Sequence, residues 1–213
     1  MRRSVAALIV LVLLAVGSSS ALAATRETIT IRGLVAQAGW EQFDEDTGSG
    51  EIGAVQFTTA EGRTTVFFWM TTGELVQCDG ALTPDDPSDD FFGLRGTLTQ
   101  GEGPASLVLG KSYSSASGSG RVNAQVLTID ECTGGGEVTT TTSIALALEL
   151  TGIGPIVTQK LRTTIAIPKQ LRTKLMLQSR SRDAAGTLTI NSRSLDVGGV
   201  IGNLWLKGSN RQR

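Results

Sequence analysis

Along most of the chain, apolar and polar positions alternate with a period of two, and short clusters of Gly, Pro, Ser and Asp separate the alternating runs. That period sends successive side chains to opposite faces of a β-strand. The series opens at 28–35, and 52–59 and 63–70 follow, joined as a hairpin through Ala60-Glu61-Gly62. Further runs cover 73–78, 93–99, 105–113, 121–129, 137–150, 156–167, 171–181, 186–191 and 200–207. Roughly ten to twelve short strands at this spacing predict an all-β protein, either an antiparallel β-sandwich or a closed β-barrel.

One internal repeat stands out, Leu161-Arg-Thr-Thr-Ile-Ala-Ile against Leu171-Arg-Thr-Lys-Leu-Met-Leu, with Pro168-Lys169-Gln170 between them as a turn. Folded as a hairpin, Leu161, Thr163, Ile165 and Ile167 are expected to face inward beside Leu171, Thr173, Leu175 and Leu177. The other face then carries Lys160, Arg162, Arg172 and Lys174, and the continuing strand adds Arg180 and Arg182. These six form a candidate anion-binding surface.

The N-terminus departs from the alternation. Arg2 and Arg3 precede 12 residues, 5–16, without a polar side chain, and Ala21-Leu22-Ala23 follows a Gly-Ser break. This order predicts a cleavable signal peptide over 1–23. The apolar run is short of the roughly 20 residues that cross a bilayer. The first cysteine is Cys78 and the last six residues are polar, so no integral membrane segment is expected after cleavage. A single all-β domain is expected over 24–213, secreted or periplasmic. In an oxidising compartment, the lone pair Cys78 and Cys132 predicts a disulfide.

Charge divides the mature chain near 150–155, a candidate sub-boundary. Residues 27–149 carry 18 acidic and 5 basic side chains, a net of −13, whereas 150–213 carry 2 and 11, a net of +9. Three accounts remain open. Acidic and basic strands lie side by side within one sheet system, or the basic part of one copy meets the acidic part of another, or the basic strands face an anionic cell-wall polymer or membrane surface. Nucleic acid is a poor partner, since no aromatic residues interleave the basic strands for stacking.

Candidate chemistry narrows by absence. Without histidine, no Ser-His-Asp, Cys-His or His-bearing zinc site exists. A carboxylate pair for glycoside hydrolysis remains, drawn from Glu41, Glu51, Glu74 and Asp79, although their spacing selects no pair. In the acidic cluster 44–51, Asp44, Asp46 and Glu51 are candidate calcium ligands, with Gly48 where a further side-chain oxygen belongs. Trp40, Trp69 and Trp205 are sugar platforms or core residues, and Thr139–Thr142 form a run that tolerates water on a strand. The reading is a secreted, non-catalytic β-protein with a surface-associated structural or binding role. Its rivals are a carboxylate-dependent glycoside hydrolase and a small-ligand-binding barrel.

Overall fold

The computed structural model describes residues 28–44, 46–78, 91–167 and 171–212. The signal peptide expected over 1–23, and Asp79, lie outside them. Eight strands follow one another: β1 (Thr28–Asp44), β2 (Ser49–Ala60), β3 (Arg63–Cys78), β4 (Phe91–Leu109), β5 (Ser115–Asp130), β6 (Gly135–Ile167), β7 (Leu171–Ile190) and β8 (Arg193–Gln212). Each is antiparallel to the next, and β8 returns to pair with β1, so that one sheet closes on itself.

The described strands number eight rather than ten to twelve because four expected breaks, at 71–72, 100–104, 151–155 and 182–185, do not end a strand. Ile153-Gly154-Pro155 lies inside β6 as a bulge, where the pairing with β7 shifts between Ile153 and Val157 and Gly154 takes a φ of +69°. That conformation is open to glycine at little cost. The 60–63 hairpin does form, with Ala60 paired to Arg63. Its two central residues, Glu61 and Gly62, have φ of 52° and 77°, the left-handed pair whose twist suits adjoining strands.

Parity decides what fills the barrel. Along β5 the burial alternates, with Ala116, Val122 and Ala124 buried and Ser117, Ser119, Arg121, Asn123 and Gln125 exposed. The same alternation directs Phe57, Phe68, Leu148, Leu188 and Ile201 inward, all of them fully buried. Gly118 makes room for the Phe57 ring, since a Cβ there would stand 3.0 Å from it. The middle of the barrel is therefore a packed core. A lipid-facing barrel has the reverse arrangement, apolar outside and polar within. No helix among the described residues is long and apolar enough to cross a membrane.

The rim is stepped at both ends. Strand β6, 33 residues long, pairs with β5 over 135–151 and with β7 over 146–167, so only 146–151 is flanked on both sides. Its N-terminal arm joins β3, β4 and β5 in a wall that rises past the β1–β2 and β7–β8 turns. Its C-terminal arm joins β7, β8 and the start of β1 in a second wall at the opposite end. The Cys78–Cys132 disulfide, with a Cα–Cα distance of 5.2 Å, fastens the first wall by tying the end of β3 to the β5–β6 turn. It straddles β4, whose Phe91 is the ladder partner of Cys78.

Candidate functional site

The inner face of the second wall is built from three cross-strand rows. Arg32, Trp205, Gln178 and Lys160 are successive ladder partners across β1, β8, β7 and β6. On the barrel side runs Leu34, Asn203, Arg180 and Thr158, and on the outer side Thr30, Lys207, Met176 and Arg162. Neighbouring strands lie about 4.8 Å apart, so the Arg32 and Lys160 backbones are about 14 Å apart across the middle row. Arg32, Lys160, Arg162, Arg180 and Lys207 are exposed. Among the described residues none of the five enters a salt bridge.

These rows lie on the side that continues the barrel interior. Along β6, Ile144, Leu146, Leu148 and Leu150 point into the core, and the bulge preserves that parity, so Lys160 and Arg162 follow on the same face. Leu161 is therefore on the outer side and 50% exposed, opposite to the inward position expected for it. The hairpin register itself is as expected, with Leu161 opposite Leu177 and Ile167 opposite Leu171. The reversal has a simple cause. Alternation defines two faces, but only the strand's passage into the barrel decides which of them continues the interior.

Of the six candidate anion-binding residues, Lys160, Arg162 and Arg180 share this concave face. Arg182 stands opposite Ile201 at the edge of the core and donates from Nε to the Gly154 carbonyl at 2.8 Å, so it braces the bulge. The backbones of Arg172 and Lys174 occupy further rows, opposite Ala166 and Thr164; their side chains lie outside the described residues. Arg32, Lys207, Gln178 and Asn203 escaped the sequence reading. Extending the inward parity of Ala36 and Ala38 back along β1 reaches Arg32, so that signal was present.

Where the wall meets the barrel, a groove of about 540 Å³ is lined by Arg32, Leu34, Gln178, Arg180, Asn203 and Trp205, with Thr59 and Glu61 on its far rim. That volume suits a small ligand or a few units of a polymer. Trp205 is half-buried in it, flanked by Arg32 on one strand and Gln178 on the other. The groove combines two guanidinium forks, which match carboxylate, sulfate or phosphate oxygens, with one aromatic surface and two amides.

The opposite mouth is different in character. A groove of about 610 Å³ there includes Asp44, Glu51, Glu74, Arg95 and Arg193 in its lining. Both Glu51 oxygens are engaged: the Trp40 indole N–H donates to Oε1 at 2.6 Å and Arg193 Nη1 to Oε2 at 2.5 Å. Arg193 also donates to Gln42 Oε1 at 3.0 Å, and Arg95 pairs with Asp130 at 3.4 Å. Of the candidate hydrolytic carboxylates, the structure brings Glu51 and Glu74 into one groove. Glu41 is an exposed β1 residue whose ladder partner is Ile52.

The candidate calcium residues do not converge. Asp44 Oδ1 accepts from the backbone amides of Asp46 and Thr47 at 2.9 and 3.3 Å, closing its own turn, and Asp46 is exposed. Among the described residues no group of three carboxylates is placed to hold a metal. The three tryptophans have three fates. Trp40 is core, stacked on Phe68 with ring centroids 6.1 Å apart. Trp69 has the outward parity of β3, and Trp205 lines the basic groove.

Together these features define an eight-stranded antiparallel barrel with a packed interior, one basic mouth and one carboxylate-rich mouth. No protein-family model matches the chain, and no curated protein or solved structure compared with it is similar.

Proposed function

We propose that this is an exported, non-catalytic protein that binds an anionic surface polymer at its basic mouth. One observation carries the reading: Arg32, Lys160, Arg162, Arg180 and Lys207 converge on a single concave face around Trp205, with no salt-bridge partner among the described residues. An excess of like charges, with Glu61 the one carboxylate lining the groove, opposes folding, and a polyanion relieves the repulsion. Trp205 adds a flat apolar surface on which a sugar ring stacks, which favours an acidic polysaccharide over a bare polyphosphate.

The test is binding of the purified protein to a uronic-acid polysaccharide and to inorganic polyphosphate across a salt series. Affinity is expected to fall as salt rises. A double R32Q/R180Q variant is expected to lose about tenfold or more, equivalent to about 1.4 kcal/mol. Trp205→Ala is expected to weaken the polysaccharide and spare the polyphosphate. Absence of binding to either polymer at low salt defeats the proposal.

The presence of Glu51 and Glu74 in one groove supports a rival glycoside hydrolase reading. The engagement of both Glu51 oxygens by Trp40 and Arg193 weighs against it. Turnover of a glycan panel abolished by Glu74→Gln would establish the rival.

A further inference from the structure

The two walls are complementary halves. The carboxylate-rich end rises on β3, β4, β5 and β6, and the basic end on β6, β7, β8 and β1. Four strands from one end and four from the other make eight, the number that closes this barrel. Strand β6 belongs to both walls and is open along opposite edges. Residues 135–145 pair only with β5, apart from the contact of Ala145 with Asn191, and 152–167 pair only with β7, apart from the Gly152 N–H donated to the Ser114 carbonyl. Thr140, Thr141, Thr142 and Ser143 are exposed in succession, so over these four residues neither face is covered. An open strand edge is a template for a further strand.

We propose that the occupant of the basic wall is a second copy of this chain, added head to tail. The N-terminal arm of β6 in one copy pairs with the C-terminal arm of β6 in the next. Stacking the barrels along one axis keeps the two β6 strands running the same way, so the joint is a parallel ladder, a form of β-augmentation. A turn of one strand position between copies lets β6, β7, β8 and β1 of one copy fill the low side of the other's rim, where β7, β8, β1 and β2 stop short. Each junction is then an eight-stranded ring.

Charge selects this arrangement over a two-fold dimer. Joining two C-terminal arms would bring Lys160, Arg162 and Arg180 of both copies together, whereas the head-to-tail joint sets them across from a row of Glu74, Arg95 and Asp130 on the other wall, where Arg95 pairs with Asp130 and Glu74 keeps the row net negative. Such a contact is heterologous and does not close, so it continues as a fibre. The proposal uses the same basic face as polymer binding but does not depend on it. The two occupants exclude each other.

The experiment is sedimentation velocity with electron microscopy on the mature protein, at low and high salt. Wild type is expected to form salt-sensitive chains of copies. Thr140→Lys with Thr142→Lys, which share the inner face with Lys160 and Arg162, and separately Lys160→Glu with Arg162→Glu, are each expected to weaken association by about tenfold or more, and mixing the two variants is expected to restore it. Circular dichroism and thermal unfolding verify that both variants fold. A wild type that stays monomeric at about 100 µM in low salt overturns the proposal, as does association that neither variant weakens or that mixing fails to restore. The Thr140→Lys, Thr142→Lys variant is expected to retain polymer binding. Loss of assembly with retained binding, or the converse, therefore separates the two proposals.

Discussion

The indole N–H of Trp40 donates to Oε1 of Glu51 at 2.6 Å, across the β1–β2 ladder and at the edge of the core. Trp40 is buried, whereas the guanidinium of Arg193 on the other Glu51 oxygen is about half exposed. The two contacts should therefore differ in weight. Glu51→Ala strands a buried donor and is expected to cost about 1–3 kcal/mol. Glu51→Gln keeps an acceptor for the indole and loses only a partly solvated ion pair, so it should cost less than about 1 kcal/mol. Urea unfolding midpoints compare the two, and equal losses would contradict this division.

The Cys78–Cys132 bridge closes a 54-residue separation and holds the tip of the acidic wall, with Cys78 itself buried. Restricting the unfolded chain over a loop of that length contributes about 4 kcal/mol in the entropy model. Reduction, or serine at both positions, is expected to lower stability by about 2–5 kcal/mol. Amide exchange should rise first at the outer ends of β3 and β4. Uniform exchange across the barrel would place the bridge's effect elsewhere.

Much of this architecture is legible in the amino-acid order because alternation is a local property. The all-β class and the turn at Glu61-Gly62 follow from residues close together in sequence, and the Cys78–Cys132 pairing follows from there being only two cysteines. The strand count was obscured at Ile153-Gly154-Pro155, whose composition is that of a turn and whose role is a bulge within β6. The basic face was visible in Lys160, Arg162 and Arg180, but its side was not, because Leu161 is as apolar as a core residue and still faces outward. Above all, the row Arg32, Trp205, Gln178, Lys160 joins four distant segments through register. No local pattern encodes that register, which arises from barrel closure.

Trp205 should report on its charged neighbours. Among the described tryptophans, Trp40 is core, so collisional quenching of fluorescence reads Trp69 and Trp205, and a Trp69→Phe background isolates Trp205. With Arg32 and Arg180 lining the same groove, iodide should accumulate there and caesium should be repelled. Iodide is expected to quench Trp205 more strongly than caesium, and the difference should shrink in R32Q/R180Q and at high salt. Bound polysaccharide should protect the indole from both. Equal quenching by the two ions at low salt would place Trp205 outside a positive field.

Glu61 offers a test in which stability and binding move separately. It is the one carboxylate among the groove-lining residues, and it sits at the first central position of the β2–β3 turn with a φ of 52°. The left-handed region costs an ordinary side chain about 1–2 kcal/mol, and asparagine tolerates it better because its short amide bonds locally. Glu61→Asn is therefore expected to raise unfolding stability by up to about 1 kcal/mol. It also removes a negative charge from the groove that Arg32 and Arg180 line, which should tighten polyanion binding by about two- to fivefold at low salt. Glu61→Gln removes the same charge without the conformational gain, so it should tighten binding equally while leaving stability nearly unchanged. Measured together by calorimetric titration and thermal unfolding, the pair separates turn strain from groove charge. If neither variant changes affinity, the polymer does not pass through this groove.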